Sequence, residues 1–157
     1  MRGKGSFFMS NLSIKKSDKK YFDIAREVAN QSAFPRFHVG CVLAYQGRVL
    51  SSACNTEKSD PIQKKYNKYR HFNYSVNGYV NHAGHAEMIA LKRVSYPVAQ
   101  QVDWKKVKCY TYRVCPGLPL GRGLSRPCPA CRAALRDKGI RDFYYSTDAG
   151  FAHERME

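Results

Sequence analysis

Apolar positions recur along this chain with two different periods, and the switches between them predict its elements. Over residues 17–31, Phe22, Ala25, Val28 and Ala29 share one face of a helical repeat, with Ser17 placed to cap its start. Residues 39–45 and 48–54 read as strands, joined by Gln46-Gly47, a hairpin signal. A long polar stretch, residues 57–83, follows. Beyond it the pattern predicts a helix over residues 85–94, a strand over 107–114 and a helix over 129–138 stopped by Gly139. Residues 141–146 are the last clear strand, and the short tail after them is compatible with helix.

The order α-β-β-α-β-α-β, with a helix between the third and fourth strands, predicts a parallel crossover there. The whole reads as a three-layer α/β/α sandwich with a mixed sheet. Residues 1–16 are basic and poor in pattern and read as a flexible arm, leaving residues 17–157 as a single domain.

Composition narrows the class. Hydrophobic residues make up 43% and aromatics 13% of 157 residues, enough for one substantial core and incompatible with a disordered chain. No apolar run approaches the roughly 20 residues that cross a bilayer. The N-terminal stretch is too short in apolar residues for a signal-peptide core, so the expected location is cytoplasmic. Twenty-seven Lys and Arg against twelve Asp and Glu give a net charge of +15, which favours polyanions or phosphorylated substrates as partners.

Six cysteines raise the question of disulfides, but Cys128-Pro129-Ala130-Cys131 in a chain without a secretory signal reads as metal-binding or redox-active. Cys41, Cys54 and Cys109 sit inside strand-like runs as small apolar residues, and Cys115 has no obvious role. His85-Ala86-Glu87 opens one predicted helix and the Cys-x-x-Cys opens the next. One His and two Cys form a three-ligand set for zinc, which leaves a fourth position open for water. Thiolates suit a helix start, where first-turn N–H groups and the dipole favour negative sulfur. Glu87, two residues from the His, can then move protons without being a ligand. A closed structural site remains an alternative if Cys115, His82 or His71 supplies a fourth ligand.

His-x-Glu followed by Pro-Cys-x-x-Cys is the signature of zinc-dependent nucleobase deaminases. The sequence resembles the cytidine deaminase superfamily over residues 33–146. Phe37-His38-Val39-Gly40-Cys41 is similar to the Phe-Pro-Val-Gly-Ala of free-cytidine enzymes, and Cys54-Asn55-Thr56-Glu57 to their Cys-Asn-Val-Glu. Pro127-Cys128-Pro129-Ala130-Cys131-Arg132 is similar to their Pro-Cys-Gly-Ala-Cys-Arg. The resemblance implies a cytidine deaminase-like fold, zinc held by His85, Cys128 and Cys131, and Glu87 as the proton carrier in hydrolytic deamination of cytosine to uracil. It further implies Asn55 and Glu57 as sugar contacts; Phe37 reads either as a ring that stacks on the base or as a core aromatic before a buried strand, and Ala86 as a further candidate substrate contact. Two departures loosen the substrate. The first ligand is His85, as in the deoxycytidylate, tRNA and polynucleotide members. The gaps from Glu57 to His85 and from Glu87 to Cys128 are long for a free-nucleoside enzyme.

The first of those insertions interleaves Lys64, Lys65, Tyr66, Lys68, Tyr69 and Arg70 with further aromatics, the combination a groove for single-stranded nucleic acid uses. The second carries Arg122 and Arg126. Both lead into ligand-bearing helices, so both are expected at the pocket mouth. The alternative for the first is a local helical stripe, with Tyr66, Tyr69 and Phe72 inward and the lysines solvated. The expected substrate is therefore cytosine in single-stranded DNA or RNA, with free cytidine, deoxycytidine or dCMP as the rival. A tRNA-type adenosine deaminase and a non-catalytic zinc-stabilised nucleic-acid-binding module stand behind them.

Overall fold

In the computed structural model, which describes residues 7–11, 14–35, 37–69, 75–76, 79–80 and 83–156, the elements alternate between sheet and helix. They are β1 (Phe7–Asn11), α1 (Lys16–Ala29), β2 (His38–Tyr45), β3 (Arg48–Cys54), α2 (Pro61–Tyr66), β4 (Ser75–Val76), β5 (Tyr79–Val80), α3 (Ala86–Arg93) and α4 (Tyr96–Gln101). After these come β6 (Lys108–Val114), β7 (Arg122–Gly123), α5 (Pro129–Lys138), β8 (Asp142–Ser146) and β9 (Phe151–Met156).

The alternation along β2 sets the layers. Cys41 and Leu43 face a core shared with Ala53, Ala86, Cys109, Leu135 and Phe143, under α3 and α5. Val42 and Ala44 face the other way, into a cluster with Tyr21, Phe22 and Ala25 of α1 and with Tyr110 and Tyr112 of β6. Helices thus cover both faces of one mixed sheet, as the sequence predicts. Its order is β1-β9-β8-β6-β2-β3. The hairpin β2–β3 turns at Gln46 and Gly47, both at positive φ (49° and 78°), the geometry of the tight hairpin turn that the dipeptide signals. β6 and β8 are parallel, joined through α5, and β7 pairs with β6 at Arg113 and Val114, past the point where β8 stops.

Four local expectations differ from what forms. Ser17 does not cap α1. The helix begins at Lys16 with Lys15 at the N-cap and no side-chain cap, and its first turn is fixed by buried Asp18, which accepts a 2.6 Å hydrogen bond from the Tyr110 hydroxyl. The tail is a strand and not a helix: β9 pairs antiparallel with β8. Its inward charged residue, Glu154, hides the alternation because its carboxylate is satisfied inside by Arg126 and the Tyr145 hydroxyl. Within the stretch read as an arm, β1 pairs with β9 along Phe7↔Met156 to Asn11↔Ala152, covering backbone groups that would otherwise form an open edge. The polar stretch holds α2, capped by Asp60, whose Oδ1 accepts from the N–H groups of Ile62 and Gln63 at 2.9 and 3.0 Å.

α1 lies so close to β2 that a Cβ placed on Gly40 would sit 2.0 Å from the Ala25 carbonyl oxygen and 2.7 Å from the Ala29 nitrogen. Both are helix backbone and cannot rotate away. Gly40→Ala is therefore expected to cost at least about 2–3 kcal/mol in urea unfolding, at the upper end of overpacking penalties. Gly117→Ala, where a Cβ would meet nothing within 4 Å, is expected to stay within about 0.5 kcal/mol of the parent.

Candidate active site

Two helices begin at the same end of the sheet, and each begins on a residue that could ligate a metal. His85 is the N-cap of α3 and Cys128 the N-cap of α5, where Pro129 starts the first turn; neither side chain caps its own helix. Cys131 lies in that same turn of α5. The His85 Nδ1 stands 3.5 Å from the Cys128 Sγ and 3.4 Å from the Cys131 Sγ, and one ligand atom from each residue falls within 4.8 Å of the others. Tetrahedral zinc with ordinary Zn–S and Zn–N bonds separates sulfur from nitrogen by about 3.5 Å. The site fits the ion in donor type, count and spacing.

Neighbours hold this corner in place. The backbone N–H of His85 donates to Gln63 Oε1 at 3.1 Å, and Gln63 Nε2 donates to Asn67 Oδ1 at 2.8 Å. Both side chains are buried, so α2 fixes the start of α3. No sequence motif singled out Gln63 or Asn67; an amide pair buried in a polar stretch leaves no pattern. Below the ligands, Met88, Cys131 and Ala134 form an apolar floor, with Tyr66, Leu91 and Cys128 packed on it.

The electrostatics ask for a cation. A hydrogen bond between the two thiols separates them: it holds Cys128 down to about 4, helped by His85, and together with burial it pushes Cys131 well above the usual thiol range. A divalent cation takes the place of that shared proton and lets both sulfurs be thiolates. Burial raises the Glu87 carboxyl to about 7, against an opposing pull from His85.

Beside the ligands opens a pocket of about 220 Å³. Of the expected substrate contacts, Phe37, Asn55 and Ala86 line it together with Glu87. Glu57 is exposed and is absent from the lining. The Asn55 side chain is largely committed to the fold: Oδ1 accepts from Ser32 Oγ at 2.7 Å and from the Val39 N–H at 3.0 Å, while Nδ2 donates to the Phe37 carbonyl at 3.0 Å. It clamps the loop that carries Phe37. Val39, Arg113, Leu124 and Ser125 also line the pocket, and sequence reasoning missed them.

The two insertions part company here. The second reaches the pocket through Leu124, Ser125 and Arg126. It is stitched to the sheet by hydroxyls: Thr111 Oγ1 donates to the Ser125 carbonyl at 2.8 Å, Ser125 Oγ donates to the Thr111 carbonyl at 2.9 Å, and Ser146 Oγ donates to the Gly123 carbonyl at 2.7 Å. Arg126 pairs with buried Glu154, and the Arg122 guanidinium lies 4.4 Å over the Phe151 ring. The described part of the first insertion contributes nothing to the pocket wall. Lys64, Lys65 and Lys68 point to solvent, with Lys65 and Lys68 over the rings of Tyr66 and Tyr69. Those rings stack at 6.0 Å, and the Tyr66 hydroxyl donates to Asp137 on α5 at 2.8 Å. Arg70, His71, Phe72 and His82 lie outside the described residues. Among the described residues Cys115 is not part of the ligand cluster, so the group there has three members.

Residues 15–147 match the family described as cytidine and deoxycytidylate deaminase zinc-binding region. No curated protein sequence matches the chain significantly. Among solved structures, the dCMP deaminase of cyanophage S-TIM5 has a similar fold. Its apo form has a TM-score of 0.50 at 18% identity, covering 85% of this chain and 86% of that one. Its complex with dCMP and dUMP has a TM-score of 0.51 at 18% identity, covering 85% and 84%.

Metal analysis of the purified protein is expected to give one zinc per chain, falling sharply in Cys128→Ser and in Cys131→Ser. Full zinc retention in both variants contradicts the ligand set.

Proposed function

Because the chain belongs to the cytidine and deoxycytidylate deaminase family, we propose that it hydrolyses the exocyclic amine of a cytidine-type base, releasing ammonia and leaving the uracil form. The observation that carries this reading is Glu87, a buried carboxyl that lines the pocket next to the His85–Cys128–Cys131 cluster. A purely structural zinc site has no use for it. Bound at the cluster, zinc supplies the Lewis acid that makes water nucleophilic at neutral pH. Glu87 takes the proton from the attacking water and delivers it to the ring nitrogen N3, which makes C4 electrophilic. It then carries the second proton to the amino group, which leaves as ammonia. Held near neutrality by burial, the carboxyl is suited to both taking and giving a proton. Phe37, fixed through the Asn55 clamp, offers a ring for the base, and Leu124 and Ser125 form a wall of the pocket.

The substrate that fits best is a free cytidine-type nucleotide. Lys64, Lys65, Lys68, Tyr66 and Tyr69 do not border the pocket, and the cyanophage protein of like fold holds dCMP and dUMP. A strand substrate is the second reading, favoured by the run of exposed lysines beside Tyr69, which is 46% exposed. The two separate by salt: strand affinity falls steeply as ionic strength rises, because several counterions are released, whereas a mononucleotide changes little.

Glu87→Ala is expected to keep zinc and fold while losing deamination of cytidine, dCMP or a cytosine-containing strand by about 10²–10⁴-fold or more. The measurement is ammonia release with parallel metal analysis. A variant retaining over half its activity on any of these substrates contradicts the assignment of Glu87.

A further inference from the structure

Three guanidinium groups, those of Arg113, Arg122 and Arg132, carry a buried Nε–H with no acceptor among the described residues. Of these only Arg113 lines the candidate pocket. Resting on the reading that this pocket takes a cytidine-type base, we propose that Arg113 recognises the phosphate of the substrate and makes the enzyme selective for a nucleotide over a nucleoside.

The strand places the charge there. Side chains of β6 alternate, and Cys109 and Thr111 point to the helix face that carries the zinc cluster, Cys109 into the core under α3 and Thr111 onto Ser125. Arg113 follows on that same face, two residues further along, where a third apolar or hydroxyl residue would suffice for packing alone. Its guanidinium lies 5.1 Å from the centre of the Phe37 ring, and Phe37 rests in turn on Phe34 at 4.7 Å. Stacking on a ring fixes the plane of the cation and leaves the donors along its edge free for a ligand.

Charge around the pocket is uneven. Glu87 places a carboxyl in one part of the lining. Arg126, the other guanidinium in the wall, is paired with Glu154. Arg113 has no carboxylate partner among the described residues. A cation held beside a pocket with an unpaired donor is costly unless something arrives to pair with it. Phosphate oxygens match the planar fork of donors. A nucleoside brings no anion to the guanidinium, so Arg113 favours a nucleotide over its dephosphorylated form. A free phosphomonoester and a phosphodiester within a strand share this chemistry; the absence of the lysine run from the pocket lining favours the monoester.

The test is calorimetric titration of the zinc-loaded protein with deoxyuridine, dUMP, a deoxyuridine-containing trinucleotide and inorganic phosphate, for the parent, Arg113→Ala and Arg113→Gln. The parent is expected to bind dUMP about 10- to 100-fold more tightly than deoxyuridine. Both variants should lose most of that preference while zinc content and deoxyuridine affinity stay unchanged. If Arg113→Ala does not fold, Arg113→Gln decides, since it keeps a planar amide over Phe37 and removes the charge. A dUMP preference that survives in the variants, or no preference in the parent, overturns the proposal. An Arg113-dependent gain for the trinucleotide alone overturns the monoester and assigns the contact to a strand. Arg113-dependent phosphate binding without affinity for either uridine ligand upholds the anion site and sinks the cytidine reading. Deamination of cytidine as efficient as that of dCMP upholds the cytidine reading and sinks the role of Arg113.

Discussion

The rest of the structure depends on the meeting of His85, Cys128 and Cys131, whose donor types and spacing fit a divalent cation. Two sulfurs and an imidazole nitrogen are gathered within 4.8 Å, one sulfur on a fully buried cysteine, and the two sulfurs cannot both be thiolates beside a buried carboxyl without a cation among them. With only a proton to share, the thiols split, Cys128 low and Cys131 high. The two helix N-termini help, because their free N–H groups and dipoles favour negative charge in front of them. They meet because α3 and α5 pack on the same face of the sheet and both start at the end where β6 delivers the chain to its loop.

Few of the residues that fix this geometry carry chemistry. Gln63 holds the backbone at His85 and is itself held by Asn67. Asn55 ties Ser32, Phe37 and Val39 together, so the loop entering β2 presents an aromatic ring to the pocket. Thr111, Ser125 and Ser146 bond the segment before α5 to the ends of β6 and β8. Each is a small polar side chain buried with its partners satisfied, which gives rigidity at modest cost. Pre-organisation of this kind matters to a hydrolase because proton transfers depend on short, fixed distances.

α1, α3, α5, the hairpin and the parallel crossover were legible because their periodicity is strong, and the starts of α3 and α5 and the end of α5 carry ligand residues, proline or glycine at the right offsets, whereas the short α2 and α4 show no such period. The ligand cluster was legible for another reason: zinc restricts donors to a few residue types, and two spaced pairs of them in one order are rare by chance. β9 was hidden because Glu154 stands where an apolar residue would reveal the alternation, and its partners Arg126 and Tyr145 are distant in sequence. β1 depends on β9 and so shared its fate. Composition at Lys64 to Tyr69 could not say which way each side chain faces: Lys64, Lys65, Lys68 and Tyr69 are exposed, but none of them lines the pocket. In the fold Tyr66 packs toward the Cys131 floor and hydrogen-bonds Asp137, as the alternative helical stripe has it, whereas Tyr69 is exposed and Phe72 lies outside the described residues. Arg113 drew no notice in a chain rich in basic residues, where one more arginine carries no signal without its surroundings.

The pocket combines the carboxyl of Glu87 beside the His85–Cys128–Cys131 cluster with the cation of Arg113 in its lining. All of this rests on the corner being an open three-ligand site. X-ray absorption at the zinc edge of the metal-loaded protein reads that directly. The account predicts two sulfurs at about 2.3 Å, one imidazole nitrogen at about 2.0 Å and one further light atom. A shell with three or four sulfurs, or with two imidazoles and no light ligand besides, would mean a closed structural site and would contradict it.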